Sequence, residues 1–327
     1  MLTIGVPTFN RKEVICRFVN HVLTSGLQQY AKILIIDNDS PDGSYERLTE
    51  LCHGTAIRLL RNSRNIGYCG NFLRLFEECD TEYLLISSDE DDVIKEQLEY
   101  LLVYLNKERP LFISPQVFRE GHLYRGRNRT KVIEPEDFRN ASFYISGLVY
   151  NVPASRNALR CFHKHIIKDG VYPQVLLAAA LIPSRRCLWF NMPITKIMIE
   201  IPMHLESLRE GAVYNPDIGR LQGSYADVSA RWYQHQLFED FFRELKGIQK
   251  RPIEQSIVTR MLSAHEKILF DMIRFGIKME RSDLIHEFDR GARRFYLLEA
   301  LLRIKLALPF LSSLPIPGFV RRWAIRG

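Results

Sequence analysis

Paired cysteines, long apolar runs and an N-terminal targeting pattern are all missing from this 327-residue chain. The six cysteines are scattered without a C-x-x-C pair, which argues against a structural zinc site and against a disulfide framework. Reduced thiols in a cytoplasmic protein are therefore expected. No stretch of about 18 uncharged apolar residues is present, so no membrane-spanning helix is expected. The chain begins directly with a strand-like run and shows no secretory signal.

Two patterns that would indicate other functions are also absent. A dinucleotide-binding oxidoreductase needs G-x-G-x-x-G after its first strand, whereas this chain has Gly5-Val6-Pro7-Thr8 there. A nucleic-acid-binding protein is expected to carry a helix-turn-helix or an RNP-type motif, and neither is evident. We therefore expect no nucleic-acid partner, and a nucleic-acid-binding protein that uses the basic C-terminal tail is kept only as an alternative.

Strand and helix patterns alternate along the first half of the chain. The strand patterns are short apolar runs at residues 2–6, 32–36, 56–60, 83–86 and 111–113. Apolar residues at helical spacing separate them. This alternation predicts an α/β fold whose mostly parallel sheet is covered by helices on both faces. Asn10 is expected to cap the first helix, and Gly26 is expected to end it.

The pattern changes after the fifth predicted strand. Residues 142–150 are strand-like, and residues 172–181 favour a helix. From about Trp232 onward the apolar spacing is helical. We therefore predict a nucleotide-binding and catalytic domain at residues 1–220 and a helical C-terminal region at residues 221–327.

Polar loops follow the first, second and fourth predicted strands. In open α/β sheets, ligands bind beyond the carboxyl ends of the strands, so these loops are expected to meet at one edge. Asp37 can accept hydrogen bonds from a base edge or a ribose, and it can equally be a turn residue. After the third strand, Arg64 can meet a phosphate and Gly67 permits close approach of the backbone to a ligand. The alternative there is an ordinary loop with a solvated arginine.

The loop after the fourth strand is the most informative, because Asp89, Asp91 and Asp92 lie together in it. Like charges at this spacing resist joint ionisation. A Mg²⁺ or Mn²⁺ ion, which prefers oxygen ligands, would relieve the repulsion. The alternative is a helix cap of solvated acids in front of a helix that begins near residue 95.

Four segments, taken in order, resemble the motifs of the family 2 glycosyltransferases, which have the GT-A fold. The opening strand and loop read VPTFNR at residues 6–11, and IIDNDSPDG at residues 35–43 is similar to the family's VDDGSxDG segment. NIG at residues 65–67, together with Asn71, resembles its NxGxxxAxN segment. SDEDD at residues 88–92 resembles its D-x-D metal motif. The resemblance covers roughly the first two thirds of the chain.

The resemblance implies a glycosyltransferase that takes its sugar from a nucleotide-sugar donor. The residues expected to bind that donor are Pro7, Thr8, Asn10, Arg11, Asp37, Arg64, Asn65, Gly67 and Asp89. Asp91 is the expected ligand of a Mn²⁺ or Mg²⁺ ion that bridges the diphosphate. His204 is a second candidate ligand, with a structural role as its alternative. The reaction would be a single inverting displacement at the anomeric carbon, which needs a carboxylate base to deprotonate the acceptor hydroxyl.

One segment departs from the family pattern. A Glu-Asp pair is expected near the helix after residue 170, but this chain has Tyr172-Pro173-Gln174. In this respect it resembles bacterial O-antigen and capsule sugar transferases of the abequosyltransferase-like kind. Asp169 and Glu206 are the remaining candidates for the catalytic base, and a turn residue is the alternative role of Asp169. A non-catalytic nucleotide-sugar-binding protein that has lost the base is the alternative function.

The basic charge is concentrated at the C-terminus. Residues 290–327 contain eight Arg or Lys and one acid, which accounts for the whole net charge of +7. Drawn as a helix, residues 293–308 carry two apolar stripes, so one stripe can pack while the other stays available. Exposed apolar surface beside Arg suits the inner face of the cytoplasmic membrane, where the enzyme would meet a lipid-linked oligosaccharide acceptor. The alternatives are a helix packed within the protein and a homodimer.

Overall fold

The computed structural model of this chain describes most of residues 1–198 and parts of the remainder. The described residues are 1–119, 122–125, 131–169, 172–198, 213–215, 220–222, 228–278, 300–305 and 307–308. The predicted roles of His204 and Glu206, and the basic tail beyond residue 308, therefore lie outside the described residues.

Twelve strands are formed within these ranges. They are β1 (Leu2–Thr8), β2 (Lys32–Asp37), β3 (Ile57–Arg61), β4 (Tyr83–Ile86), β5 (Asp92–Val93), β6 (Phe112–Arg119), β7 (His122–Arg125), β8 (Val149–Asn151), β9 (Cys187–Pro193), β10 (Thr195–Lys196), β11 (Val213–Asn215) and β12 (Arg220–Gln222). Eight of them form one sheet in the order β3-β2-β1-β4-β8-β6-β7, in which β9 also pairs with β6. The four strands from β3 to β4 are parallel, whereas β8 runs antiparallel to both of its neighbours.

The helices follow the strands in alternation and then continue alone. They are α1 (Lys12–Ser25), α2 (Ser44–Cys52), α3 (Gly67–Glu78), α4 (Lys95–Glu108), α5 (Phe138–Ser142), α6 (Val152–Asp169), α7 (Pro173–Leu181), α8 (Val228–Ile248) and α9 (Pro252–Lys278). The predicted α/β fold, with a mostly parallel sheet followed by a helical C-terminal region, is confirmed.

Helices bury the sheet on both faces. On one face, Ile4 of β1 belongs to an apolar cluster with Phe18 of α1 and Leu98 of α4. On the other face, Leu75 of α3 packs so close to Gly5 that a Cβ atom at this glycine would lie 3.1 Å from Leu75 Cδ2. Because both faces are covered, the central strands are almost continuously apolar rather than alternating.

The start of α1 differs from the prediction that Asn10 caps it. The helix begins at Lys12, and Asn10 precedes it with a left-handed backbone at φ 54°. Asp42 serves two helices instead: its Oδ2 accepts a hydrogen bond from the N–H of Lys12 at 2.9 Å, and its Oδ1 accepts one from the N–H of Ser44 in α2 at 3.0 Å. The prediction for Asn10 is wrong because the acceptor comes from a neighbouring loop. Gly26, at φ 77°, ends α1 as predicted.

The strand predicted over residues 142–150 is only partly present. Helix α5 ends at Ser142, and β8 begins only at Val149. Between them, Gly147 adopts φ 85°, and a Cβ atom there would come within 2.9 Å of Pro115 Cγ. The chain makes a tight turn that glycine permits, so the apolar character of this segment reflects burial rather than a continuous strand.

The chain divides into two compact units, Met1–Ser224 and Tyr225–Gly327. In the second unit, α8 and α9 pack against each other and carry the buried residues Phe241 and Met261. The assignment of donor binding and catalysis to residues 1–220, with a separate region at 221–327, stays a prediction. Within the described ranges, no helix has both the length and the apolarity needed to cross a bilayer.

Replacing Asp42 with alanine is expected to lower the free energy of unfolding by about 1–2 kcal/mol, because two helix N-termini lose their acceptor. Partial burial raises the pKa of Asp42, but its hydrogen bonds outweigh this and hold the pKa below the ordinary 3.8. The contribution is therefore fully present above pH 3.8 and is lost as the pH falls through the lowered value. Urea denaturation at neutral and acidic pH measures it.

Asp80→Ala is the matched control for this experiment. Asp80 is exposed and pairs only with the exposed Lys32 at 2.7 Å, so its replacement is expected to have little effect. Equal losses from the Asp42 and Asp80 variants would contradict the double capping role.

Candidate functional site

Three loops meet at the carboxyl edge of the sheet. Thr8 ends β1 and Asp37 ends β2, and these two residues are register partners. The Thr8 hydroxyl donates a hydrogen bond to Asp89 Oδ2 at 2.7 Å, which ties the loop after β4 to the end of β1. All three side chains are buried. The structure therefore brings these residues together, while their contacts with a donor stay a prediction.

Two arginines neutralise most of the acidic loop. Arg11 Nη1 lies 3.0 Å from Asp89 Oδ1 and 2.6 Å from Glu90 Oε2. Arg17 Nη1 lies 2.6 Å from Asp92 Oδ1. From the sequence, a cation is expected to relieve the repulsion between the acids of this loop. In the fold, the ion pairs with Arg11 and Arg17 already offset the negative charge of Asp89, Glu90 and Asp92. Arg17 was not predicted as a site residue, because only the packing of α1 shows that it faces the acidic loop.

Asp91 differs from the neighbouring acids. Its Oδ2 accepts a hydrogen bond from the Tyr144 hydroxyl at 2.5 Å, while its Oδ1 is buried without a hydrogen-bond partner in the described part of the chain. Burial raises the pKa of Asp91, and the nearby hydroxyls of Ser146 and Tyr144 and the N–H of Met198 act in the opposite direction. The helix α4 begins at Lys95, where the alternative of a helix cap placed it, but Asp91 is fully buried and the cap residue is Ile94, so Asp91 is not a solvated cap.

The free oxygen of Asp91 is the observation that fits a divalent cation. Mg²⁺ and Mn²⁺ often bind through one or two carboxylates and take their other ligands from water and phosphate oxygens. A buried carboxylate oxygen without a partner costs free energy until a ligand fills its place. The described residues contain no group of three or more His, Cys, Asp or Glu that would hold a metal alone.

Glu90 adds to the same loop a carboxyl group that is a weaker acid than an ordinary glutamate. Burial raises the pKa of Glu90 to about 7, although Arg11 acts against this rise. Asp89 and Asp91 push the pKa further upward, because neighbouring negative charges disfavour ionisation. Near neutral pH, the Glu90 carboxyl group that contacts Arg11 is therefore partly protonated.

A buried asparagine network joins the end of β2 to the loop before α3. The Asn38 amide group donates to Asn65 Oδ1 at 2.8 Å and to the Gly67 carbonyl at 3.3 Å. Its side-chain oxygen accepts a hydrogen bond from Asn62 Nδ2 at 2.6 Å. Asn62 also donates to Asn71 Oδ1 at 3.1 Å. The network places Asn65 and Gly67, two predicted donor-binding residues, beside the edge of the sheet.

The remaining predicted donor contacts lie in the loops around this edge. Pro7 is partly buried in β1, and Asn10 and Arg64 have exposed side chains. The backbone N–H of Asn10 donates to Ser40 Oγ at 2.9 Å, which joins the loops after β1 and β2. The exposure of Asn10 and Arg64 fits both predictions made from the sequence, namely contact with the donor and an ordinary loop.

The side chains of the two candidate catalytic bases, Asp169 and Glu206, lie outside the described part of the structure. Asp169 is the last residue of α6, where a turn was the alternative, and its side chain is not among those described. Glu206 and His204 lie outside the described ranges. Gln174 is the second residue of α7, and its Nε2 donates to the carbonyl of Phe143 at 3.1 Å. A neutral amide, almost fully buried, therefore stands where the family resemblance led us to expect acids.

Comparison with known proteins points to one family. Residues 3–164 match the family described as Glycosyl transferase family 2. The chain is 26% identical over 118 residues to abequosyltransferase RfbV of Salmonella typhimurium. That match covers 35% of this chain and 35% of the relative, so the two proteins are similar over about a third of their lengths.

Solved structures extend the likeness to the fold. TarS 1-349 of S. aureus in complex with UDP-GlcNAc has a TM-score of 0.62 at 12% identity, over 99% of this chain and 88% of that one. Mannosyltransferase PcManGT of Pyrobaculum calidifontis, in complex with GDP-Man and Mn²⁺, has a TM-score of 0.51 at 13% identity, over 99% of this chain and 84% of that one. At such identities the likeness shows the fold alone, which is the GT-A type of mostly parallel sheet.

Asn38→Asp is expected to destabilise the protein by about 3 kcal/mol, because the new carboxylate would be buried without a partner charge. One of its oxygens would replace the amide group that now faces two acceptors, Asn65 Oδ1 and the Gly67 carbonyl. Urea denaturation measures the loss. Asn20→Asp makes the same change on the exposed face of α1 and serves as the control. An equally stable Asn38→Asp protein would contradict the network described above.

Proposed function

Because this chain belongs to glycosyl transferase family 2 through residues 3–164, we propose that it is an inverting glycosyltransferase that uses a nucleotide-sugar donor. The observation that carries the proposal is the buried Oδ1 of Asp91, which has no hydrogen-bond partner in the described part of the chain and lies beside the edge where Thr8, Asp37 and Asp89 meet. The structural relatives bound to UDP-GlcNAc and to GDP-Man with Mn²⁺ support a donor of this kind.

Each residue at this edge has a proposed task. Asp37 accepts a hydrogen bond from the base or ribose; its Oδ1 is also buried and has no hydrogen-bond partner within the described ranges. Thr8 and Arg11 hold Asp89, which faces the ribose or the sugar. Asp91 holds Mn²⁺ or Mg²⁺, with His204 as a second ligand, and the bound ion would neutralise charge on the leaving diphosphate. The donor is further lined by Pro7, Asn10, Arg64, Asn65 and Gly67.

The transfer itself is a single displacement. A carboxylate base takes the proton of the acceptor hydroxyl, whose oxygen forms a bond to the anomeric carbon while the bond from that carbon to the diphosphate oxygen breaks. The configuration at the anomeric carbon is thereby inverted. Asp169 and Glu206 are the proposed bases, and the proton ends on one of them.

A second candidate function is a nucleotide-sugar-binding protein without catalysis. The specific observation in its favour is Gln174, which uses its amide to hold the Phe143 carbonyl and has no carboxylate to act as a base. Such a protein would bind the donor through the same residues and would leave it intact.

The acceptor is proposed to be a lipid-linked glycan precursor at the inner face of the cytoplasmic membrane, as in the synthesis of O-antigen or capsule. Leu302 is buried, whereas Ile304 is 50% exposed and Leu308 is 40% exposed. Leu302, which belongs to one stripe, is therefore packed, while Ile304 and Leu308 of the other stripe face outward near the exposed Arg303. Apolar surface next to arginine suits anionic lipid headgroups.

A nucleoside diphosphate with Mn²⁺ is expected to raise the unfolding temperature of the full-length protein by a few degrees, because a ligand stabilises the folded state that binds it. UDP, GDP, CDP, ADP and TDP would each be tested with and without Mn²⁺. Asp91→Ala is expected to lose the metal-dependent part of the rise and to keep the metal-independent part.

Asp80→Ala, at an exposed position that precedes β4 whereas the acidic loop follows this strand, is expected to behave as the wild type. A rise with duplex DNA but with none of the nucleotides would contradict the proposal and favour a nucleic-acid-binding protein. Slow release of free sugar from a nucleotide-sugar would separate the transferase from the non-catalytic binder, because a transferase transfers to water when no acceptor is present.

Truncation after residue 290 is expected to leave a folded protein that no longer sediments with vesicles containing anionic lipid, because the basic and apolar tail is gone. The measurement compares the vesicle-bound fraction of the truncated and full-length proteins, with unfolding temperature as the check on folding. Identical partitioning of the two proteins would show that the tail packs internally or in a dimer.

A further inference from the structure

We propose that Tyr144 is a positioning residue that holds Asp91 with one defined oxygen available to a cation. This role rests on the proposed function. The Tyr144 hydroxyl donates to Asp91 Oδ2 at 2.5 Å, and Asp91 Oδ1 is buried without a hydrogen-bond partner among the described residues. A carboxylate with two equivalent free oxygens can rotate between them. Because the Tyr144 hydroxyl is bonded to Oδ2, the carboxylate cannot rotate freely, and Oδ1 faces a cation in one fixed direction.

The segment that carries Tyr144 is itself attached to the acidic loop. The N–H of Ser88 donates to Ser146 Oγ at 2.8 Å. The N–H of Gly147 donates to the carbonyl of Ile86, the last residue of β4, at 2.8 Å. These two hydrogen bonds fix the position of the segment relative to β4 and the acidic loop. The backbone that carries Tyr144 is therefore held in place where its side chain contacts Asp91.

The opposite side of the segment is held by α7. Gln174 Nε2 donates to the carbonyl of Phe143 at 3.1 Å. The ring of Phe143 also packs on the ring of Tyr172, with 5.2 Å between the ring centroids. The residues at the unusual Tyr172-Pro173-Gln174 segment thus support the backbone next to Tyr144. This gives Gln174 a structural task on the path from α7 to Asp91.

Hydrogen-bonding partners of a metal ligand usually matter almost as much as the ligand, and losing one weakens metal binding by about 10- to 100-fold. Tyr144→Phe keeps the ring and removes only the hydroxyl, so it is expected to weaken Mn²⁺ binding by at least about 10-fold. Electron paramagnetic resonance of free Mn²⁺ measures this, for the full-length protein with the nucleoside diphosphate that binds it best. Affinity for the same nucleotide without metal is expected to be unchanged.

Tyr83→Phe is the matched control. Tyr83 is also buried, and its hydroxyl has no hydrogen-bond partner among the described residues. The same chemical change there is expected to leave Mn²⁺ affinity as in the wild type. Gln174→Met removes the amide that holds Phe143, and a smaller loss of Mn²⁺ affinity in the same direction is expected. This second variant keeps the test valid if Tyr144→Phe fails to fold.

The outcomes separate this role from the proposed function. If Asp91→Ala loses Mn²⁺ while Tyr144→Phe binds it as tightly as the wild type, the positioning role is wrong and the metal site stands. If the wild-type protein binds nucleotides but no Mn²⁺, both the metal site and the role of Tyr144 are overturned. Equal weakening of nucleotide binding with and without metal in Tyr144→Phe would show a general structural effect and would also overturn the positioning role.

Discussion

The two contacts of Asp89 hold the candidate site together. One carboxylate oxygen accepts a hydrogen bond from Thr8 at the end of β1, and the other pairs with Arg11 just before α1. Because Asp89 is buried, losing Arg11 would leave its carboxylate in the interior without a counter-charge, which costs about 3–5 kcal/mol, and losing Thr8 would remove the hydrogen bond to its other oxygen. The loop after β4 therefore stays against the first strand and helix, and the position of Asp91 depends on it.

The order of strands and helices, and the meeting of their loops at one edge, were predictable from the sequence. Both follow from local periodicity and from the common direction of parallel strands. Which side chains form hydrogen bonds with each other at this edge was not predictable from periodicity or strand direction. Asp42 serves the start of α1 from 30 positions away, and Tyr144 reaches Asp91 across 53 positions. Neither contact leaves a signal in local spacing, because each one depends on how separate elements pack.

The acidic loop shows how burial changes the meaning of a motif. Read as letters, SDEDD is a set of like charges. In the fold, Arg11 and Arg17 pair with Asp89, Glu90 and Asp92, whereas Asp91 keeps a buried oxygen that no described residue contacts by a hydrogen bond. The asparagine network around Asn38 gives a second example, since amides there satisfy a buried loop without adding charge. Some polar residues at this edge, such as Asn38, therefore stabilise the loops, whereas Asp91 has an oxygen available for a ligand.

The pairing of two arginines with only three of the four acids also has a consequence for the order of assembly. The loop retains more negative than positive charge, and electrostatic repulsion between charges is weakly screened where side chains are buried. A bare diphosphate would meet this repulsion on approach, whereas a diphosphate already complexed with its cation carries less charge and brings the counter-ion that Asp91 lacks. Under the proposed function, nucleotide and metal would therefore enter as one complex, and selection of the donor would begin before any contact with the sugar.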